Sequence, residues 1–256
     1  MSVRWSVLVQ PLDEPWPWLA EQPDAELRTA SVGKCLLLSE VARRWERGDI
    51  DPAARIAWRS DDLVRDSGLW HVLDQRDLSV LDACRLVGAV SDNLATNVLL
   101  REIGTAPLAA LAARYALAPM ALLDRVRDER DPAQPGVAET LSRGSARALV
   151  RWLRLTHEGE LPRLPLEWLA LGTDLSMVAA AFGLDPLAHA EPDRGLLLVN
   201  KTGTDSTVRA DVGLVTKHGR TVAYAVVANW EPGTDPRDDV LSRMRGIGGE
   251  IRDRLG

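Results

Sequence analysis

Lysine is nearly absent from this chain. Of its 31 basic residues only Lys34, Lys201 and Lys217 are lysine, and the other 28 are arginine. Arginine does not give up its proton in a protein, whereas a desolvated lysine can act as a base. A lysine kept against such a bias is therefore a candidate for chemistry that needs an amine. Excess positive charge is missing too: 37 acidic residues bring the formal net charge to -6. That balance offers no general attraction for nucleic acid or an anionic membrane, and directs attention to a small-molecule or peptide site. No apolar run approaches the length needed to span a bilayer, and the start Met1-Ser2-Val3-Arg4-Trp5-Ser6 lacks a signal-peptide pattern. The expectation is a soluble, cytoplasmic protein, or a secreted one if a leader was trimmed. Only two cysteines occur, Cys35 and Cys84, both in apolar helical context without metal spacing. They read as buried free thiols, with a bridge between two helices as the alternative. His71, His157, His189 and His218 are scattered without ligand spacing, so neither a metal nor another cofactor is expected.

What is present starts with Thr29-Ala30-Ser31-Val32-Gly33-Lys34, a serine and a lysine three apart at the head of an apolar run. Val32, Leu36, Leu37, Leu38, Val41 and Trp45 recur at helical spacing, and Gly48 supplies a stop. The spacing predicts a helix from Ser31 to Gly48 with Ser31 and Lys34 on one face. Ser31 would sit in its first turn, where unpaired N–H groups and the helix dipole favour negative charge.

The rest of the chain has a simple order. Residues 3 to 10 alternate apolar and polar, three prolines follow between Pro11 and Pro17, and Trp18 to Ala20 resume, which predicts a hairpin leading into the Ser31 helix. Residues 49 to 77 are charged and irregular. Helices are expected over Leu78–Val90, Leu94–Ile103 and Leu108–Leu117, with Ser91-Asp92-Asn93 between the first two. Leu123 to Thr140 is a polar, proline-containing loop of a length that is often functional. Helices follow at about 145 to 157 and 165 to 182, the second open to a break near Gly172-Thr173-Asp174. A strand over Leu196–Asn200 delivers Lys201-Thr202-Gly203. Strands over Arg209–Thr216 and Thr221–Trp230 turn at His218-Gly219, and a helix over Asp235–Leu255 closes the chain.

Strands thus cluster at the two ends and helices fill the middle. The predicted fold is α/β (α+β): one antiparallel sheet from both ends, about 1–49 and 190–256, flanked by helices. An all-helical lobe, about 50–189, is inserted within a single domain of 256 residues. The nine tryptophans are mostly core, with Trp70 and Trp230 as candidates for a pocket wall.

Three short motifs carry the chemistry. With 13 serines and three lysines, a Ser-x-x-Lys spacing arises by chance in roughly one such chain in six or seven. Alone it would be read as a helix cap beside a surface lysine. Ser91-Asp92-Asn93 alone would be a cap and turn, and Lys201-Thr202-Gly203 a strand end. Their joint occurrence in this order and context reverses that reading. An acyl-transfer site needs a nucleophile with an adjacent base, a relay to the leaving nitrogen, oxyanion donors and a cation for an anionic substrate. Ser31 is the candidate nucleophile. Lys34 can deprotonate it once burial and Lys201 lower its pKa, Ser91 can pass the proton on, and Asn93 can bind a substrate amide.

The set resembles the serine β-lactamases and penicillin-binding proteins, and within them the class A β-lactamases. Leu123-Asp124-Arg125 looks like the start of that family's Ω-loop. Val208-Arg209-Ala210-Asp211 resembles the strand after its Lys-Thr-Gly element. The helix that precedes the first strand in typical secreted members has no counterpart, since only thirty residues stand before Ser31. The resemblance implies that the amides of Ser31 and Thr204 form the oxyanion hole. It also implies that Lys201 and Thr202 hold the substrate carboxylate, with Gly203 letting the substrate lie against the strand edge. Arg209 is either a second positive charge there or a solvated surface residue.

The pattern breaks in the polar loop. Class A enzymes clear their acyl-enzyme with a glutamate two positions after the Arg of Leu-Asp-Arg and four before an asparagine. Here those positions hold Arg127 and Asp131. A guanidinium cannot act as a general base at neutral pH. Either Glu129 replaces it as the deacylation base, or the Ser31 ester clears slowly. The expected activity is opening of a small β-lactam, or of a related peptide amide or ester, through acyl-Ser31. A D,D-peptidase, glutaminase or esterase on the same fold is an alternative, as is a non-catalytic protein that binds or senses a carboxylate ligand.

Overall fold

The computed structural model describes residues 3–256. β1 (Arg4–Pro11) and β2 (Leu19–Glu21) form the expected hairpin, and the two-residue β3 (Leu27–Arg28) follows. A 3-10 turn over Ala30–Gly33 leads into α1 (Lys34–Glu46). The charged segment beyond it contains β4 (Arg55–Ala57), which pairs with β5 (Asp77–Ser79). Three helices then build the lobe: α2 (Val80–Val90), α3 (Asn93–Ile103) and α4 (Ala106–Arg114). β6 (Ala121–Leu122) and β7 (Ser142–Gly144) pair across the neck of the long polar loop, and β7 also pairs with β3. After α5 (Ala146–Glu158) and the short α6 (Leu164–Leu169), a 3-10 turn over Val178–Phe182 precedes the last sheet strands. These are β8 (Leu196–Asp205), β9 (Val208–Lys217) and β10 (Arg220–Asn229), and α7 (Arg237–Leu255) ends the chain.

The main sheet is antiparallel in the order β2-β1-β10-β9-β8, so the two ends of the sequence meet where β1 pairs with β10. Both of its faces are covered, which explains the near-continuous apolar run Val222-Ala223-Tyr224-Ala225-Val226-Val227-Ala228 in a central strand. One face packs Leu8, Val212, Ala223 and Ala225 against α1, α5 and the helical lobe. The other packs Val7, Leu198, Val215 and Val226 against Phe182 and the Val240, Met244 and Ile251 stripe of α7. Each fully buried aliphatic side chain in these layers contributes about 1.5–3 kcal/mol. β8 is left at the edge, and the helical lobe meets the sheet beside it.

Several boundaries differ from the sequence pattern, each for a local reason. The helix expected from Ser31 begins at Lys34, because Ala30 at φ 46° and the following 3-10 turn displace its start by one turn. The helix expected over 165 to 182 is broken around Gly172-Thr173-Asp174, as the sequence allowed, and its α-helical part is Leu164–Leu169. Gly172 is in contact with the Leu169 carbonyl, and the chain runs irregularly to the 3-10 turn at Val178. β8 continues to Asp205, so Lys201-Thr202-Gly203 lies within a strand and not at its end. His218 and Gly219 do turn the β9–β10 hairpin, at φ 52° and 77°. Trp70 is fully buried in the core, and its indole N–H donates to the Gln75 carbonyl.

Candidate active site

The turn that carries Ser31 is held from behind. Val32 N–H donates to the Thr29 carbonyl at 3.1 Å, and Ser142 Oγ on β7 donates to the Ala30 carbonyl at 2.5 Å. With its proton so used, Ser142 Oγ accepts from Thr29 Oγ1 at 2.7 Å. Gly33 is required there, since a Cβ would stand 2.3 Å from Ser142 Cβ. Ala30 has a side chain in a left-handed conformation, at a cost of order 1–3 kcal/mol that the surrounding bonds offset. The turn leaves Ser31 partly exposed, one turn ahead of Lys34.

Lys34 is fully buried, and its ammonium is saturated. Nζ donates to the Ser91 carbonyl at 2.7 Å, to Asn93 Oδ1 at 2.7 Å and to Ser91 Oγ at 3.2 Å. Burial, and then the neighbouring Lys201 charge, hold its pKa well below the ordinary lysine range. Ser91 caps α2 in a left-handed conformation at φ 55°. Asp92 makes that corner rigid: one oxygen accepts from Ala95 N at the start of α3, and the other from Leu69 N and Trp70 N at 2.7 and 2.8 Å. Asn93 N–H donates to the Ser67 carbonyl at 2.9 Å.

β8 closes the other side. Lys201 Nζ donates to Ser91 Oγ at 3.0 Å and to the Thr202 carbonyl at 2.8 Å, and burial pushes its pKa down to about 8. Ser91 Oγ thus accepts from both lysines. A hydroxyl has two acceptor positions, so its own proton is directed elsewhere. Gly203 places the strand: a Cβ would lie 2.2 Å from the Thr29 carbonyl and 3.2 Å from Ser31 N. Its missing side chain therefore makes room for the Ser31 turn. Thr202 is buried and Thr204 exposed at the edge. A cavity of about 130 Å³ opens between Ser91, Lys201 and Thr202 on one wall and Ser67, Gly172 and Thr173 on the other.

Arg209 is not a solvated surface residue. It is 8% exposed, donates through Nη1 to the Asp205 and Val208 carbonyls at 2.7 Å each, and stands 5.7 Å from the Trp230 ring. Trp230 in turn lines a separate cleft of about 610 Å³ with Arg4, Arg28 and Arg143.

The polar loop is organised around Asp124. Its carboxylate accepts from Arg127 Nε at 2.9 Å, Arg130 Nη1 at 2.6 Å and the Arg125 amide at 2.7 Å. Although burial opposes it, these bonds hold Asp124 below the usual carboxylate range. Arg127 is therefore committed to an ion pair within the loop. Glu129 is exposed, and no hydrogen bond among the described residues ties it to Ser31, Lys34 or Asn93. Asn97, which the sequence reading missed, fixes the loop to the lobe. It accepts from Val126 N at 2.8 Å and donates to the carbonyls of Val126 and Asp62 at 2.9 and 3.1 Å. The available signal was its position four residues after Asn93 on one helix face.

Cys35 and Cys84 are free and buried, and burial raises their thiols to about 12 in Cys35 and further in Cys84. Among the described residues no helix is long and apolar enough to cross a membrane.

Comparison with known proteins bears on the fold and the family. A curated β-lactamase from Rhodobacter capsulatus is 24% identical over 243 residues, 90% of this chain and 76% of its own length. Two solved structures share the fold. PBP-A superposes with TM-score 0.81 at 19% identity, over 98% of this chain and 89% of its own, and a mutant of it was solved as an acyl-enzyme complex with penicillin G. An ancestral class A β-lactamase gives TM-score 0.81 at 21% identity, over 98% and 94%. The family model described as the beta-lactamase enzyme family matches residues 2–253. With the match extending over nearly its whole length, the chain belongs to the beta-lactamase enzyme family.

Proposed function

We propose that the protein is a serine acyl-hydrolase that opens β-lactams, or related amides and esters, through an acyl-Ser31 intermediate that it releases slowly. The observation that carries this reading is the position of Ser91 Oγ, which accepts from Lys34 Nζ and Lys201 Nζ at once. In the proposed sequence Lys34, whose burial beside a second ammonium favours loss of a proton, gives up one of its three donated bonds, and the lone pair so freed takes the Ser31 proton as Oγ attacks the carbonyl. The oxyanion is met by the Ser31 and Thr204 amides; the close approach of Gly203 to Ser31 N, where a Cβ would stand at 3.2 Å, supports this reading. Ser91, its lone pairs engaged by the lysines, donates its proton to the leaving nitrogen and is reprotonated from Lys34. Lys201 and Thr202 hold the substrate carboxylate, with Arg209 as a second positive charge there, and Asn93 holds the substrate amide.

Release needs a base for water, and this chain is poorly supplied. Arg127 is paired with Asp124 and Glu129 is exposed. That arrangement supports slow deacylation, behaviour closer to a penicillin-binding or D,D-peptidase protein than to an efficient β-lactamase. PBP-A, whose mutant was trapped as the penicillin G acyl-enzyme, offers the parallel. The test is intact-mass measurement after incubation with benzylpenicillin, alongside hydrolysis of a chromogenic cephalosporin. The expected result is one adduct per chain, lost in Ser31→Ala, with low turnover. Neither adduct nor turnover, with Ser31→Ala indistinguishable from wild type, would overturn it.

A further inference from the structure

Asp211 has no part in the chemistry above, yet its carboxylate is fully buried on β9 and draws donors from three separate elements. Asn200 Nδ2 on β8 donates at 3.1 Å, Tyr224 O–H on β10 at 3.1 Å, and the Ala179 amide of the 178–182 turn at 3.2 Å. Asn200 Nδ2 also donates to the Asp174 carbonyl at 3.2 Å, so the same chain of contacts reaches the wall of the cavity at Lys201 and Thr202. In the β8–β9 ladder Asp211 is the direct partner of Thr202. Such pairs share a sheet face with Cβ atoms about 5 Å apart. Room for the cluster depends on Gly213, where a Cβ would stand 2.8 Å from the Tyr224 hydroxyl and 2.5 Å from the Val199 carbonyl. A packing role would be served as well by an apolar side chain, because a buried carboxylate is costly even when hydrogen-bonded.

We propose that Asp211 is a positioning residue that, by gripping Asn200, Tyr224 and the Ala179 amide, sets β8 and the 172–174 segment so that Lys201 and Thr202 face a substrate carboxylate. This rests on reading Lys201 and Thr202 as the carboxylate subsite. The charged and titratable groups around Asp211 are Lys201 on β8, Tyr224 on β10, Asp174 on the segment before the 3-10 turn and Arg209 on its own strand; Val178–Phe182 carries none. Burial raises the Asp211 pKa to about 6. As pH falls through that value the carboxyl gains a proton, one donor loses its acceptor, and the arm loosens.

The test uses the full chain in two measurements. In the first, Asp211→Asn raises the half-saturating benzylpenicillin concentration for Ser31 acylation about tenfold at pH 7.5, changes the maximal rate by less than about threefold, and removes the acid limb. Tyr224→Phe, which deletes a donor that favours the ionised form, moves that limb to higher pH. In the second, backbone hydrogen exchange of ligand-free protein loses protection in Asp211→Asn over 172–174 and 200–204 and keeps it elsewhere. Unchanged exchange there, or uniform loss over the whole fold, overturns the proposal, as does a half-saturation and pH profile that superimpose on wild type. If wild type is not acylated by benzylpenicillin at all, the reading of the subsite fails, and the exchange comparison still decides whether Asp211 positions the arm.

Discussion

Two regions of the molecule, the cluster around Ser31 and the polar loop over 123–140, are built differently. The acylating region draws on α1, the Ser91 corner and β8, and its groups are buried and cross-bonded: Lys34 and Lys201 converge on one hydroxyl oxygen. The polar loop is charged and mostly exposed, Asn97 ties it to the lobe at Val126, and its Arg127 and Arg130 turn inward on Asp124. In the proposed function burial gives the first region its chemistry, because desolvation favours the neutral, basic form of a lysine. In the second, the Arg127 guanidinium is spent on Asp124, and the exposed Glu129 has no hydrogen bond to the Ser31 cluster among the described residues. The same contrast separates acylation from release in the proposed cycle.

Perturbing each region in turn tests the contrast. The largest effect is expected from Ser31→Ala, which abolishes the benzylpenicillin adduct in intact-mass spectra while leaving the melting temperature close to wild type. Lys34→Ala follows, lowering the acylation rate by about 10²–10⁴-fold in stopped-flow or quench experiments, the usual worth of a general base. Gly203→Ala forces β8 away from the Thr29 carbonyl, and a displacement near 1 Å costs about 10²-fold in acylation rate. The fold also loses about 1–3 kcal/mol by thermal or denaturant unfolding. The pH profile comes next. Lys201 titrates near 8, so the second-order acylation rate declines above that pH by up to about tenfold per unit as the carboxylate loses its cation. Lys201→Arg, which stays charged, flattens that limb. The smallest effect belongs to the loop. Glu129→Gln leaves the acyl-enzyme lifetime within about twofold of wild type; a lifetime lengthened tenfold or more would make Glu129 the deacylation base and erase the contrast.

The grouping of Lys34, Ser91, Asn93 and Lys201 was legible in the sequence, because each motif is short and local: a helix start, a helix–helix corner and a strand. The scarcity of lysine sharpened the choice of Lys34 and Lys201. Joining both chain ends in one sheet was also legible from strand patterns at the two ends. What escaped depends on contacts between distant segments. That Ser31 sits in a 3-10 turn, and not in α1, follows from Ala30 and from Ser142, 111 residues downstream. The register of Thr202 opposite Asp211, the bonds of Asn97 to Val126 and the burial of Arg209 against Trp230 are likewise tertiary facts. The loop read correctly as irregular, but its internal Asp124 pairing could not be read from a segment without periodicity. Arg127 was visible at the wrong place for a base; what it does instead was not.

The central claim is that this chain acylates readily and releases slowly. It is tested most directly by mixing the protein with excess benzylpenicillin, removing free antibiotic, and following the acyl-Ser31 mass over time. The account predicts near-stoichiometric adduct that decays over minutes or longer while free Ser31 returns. Rapid hydrolysis with no accumulated adduct would contradict it, by showing an efficient release that the loop around Arg127 and Glu129 gives no reason to expect.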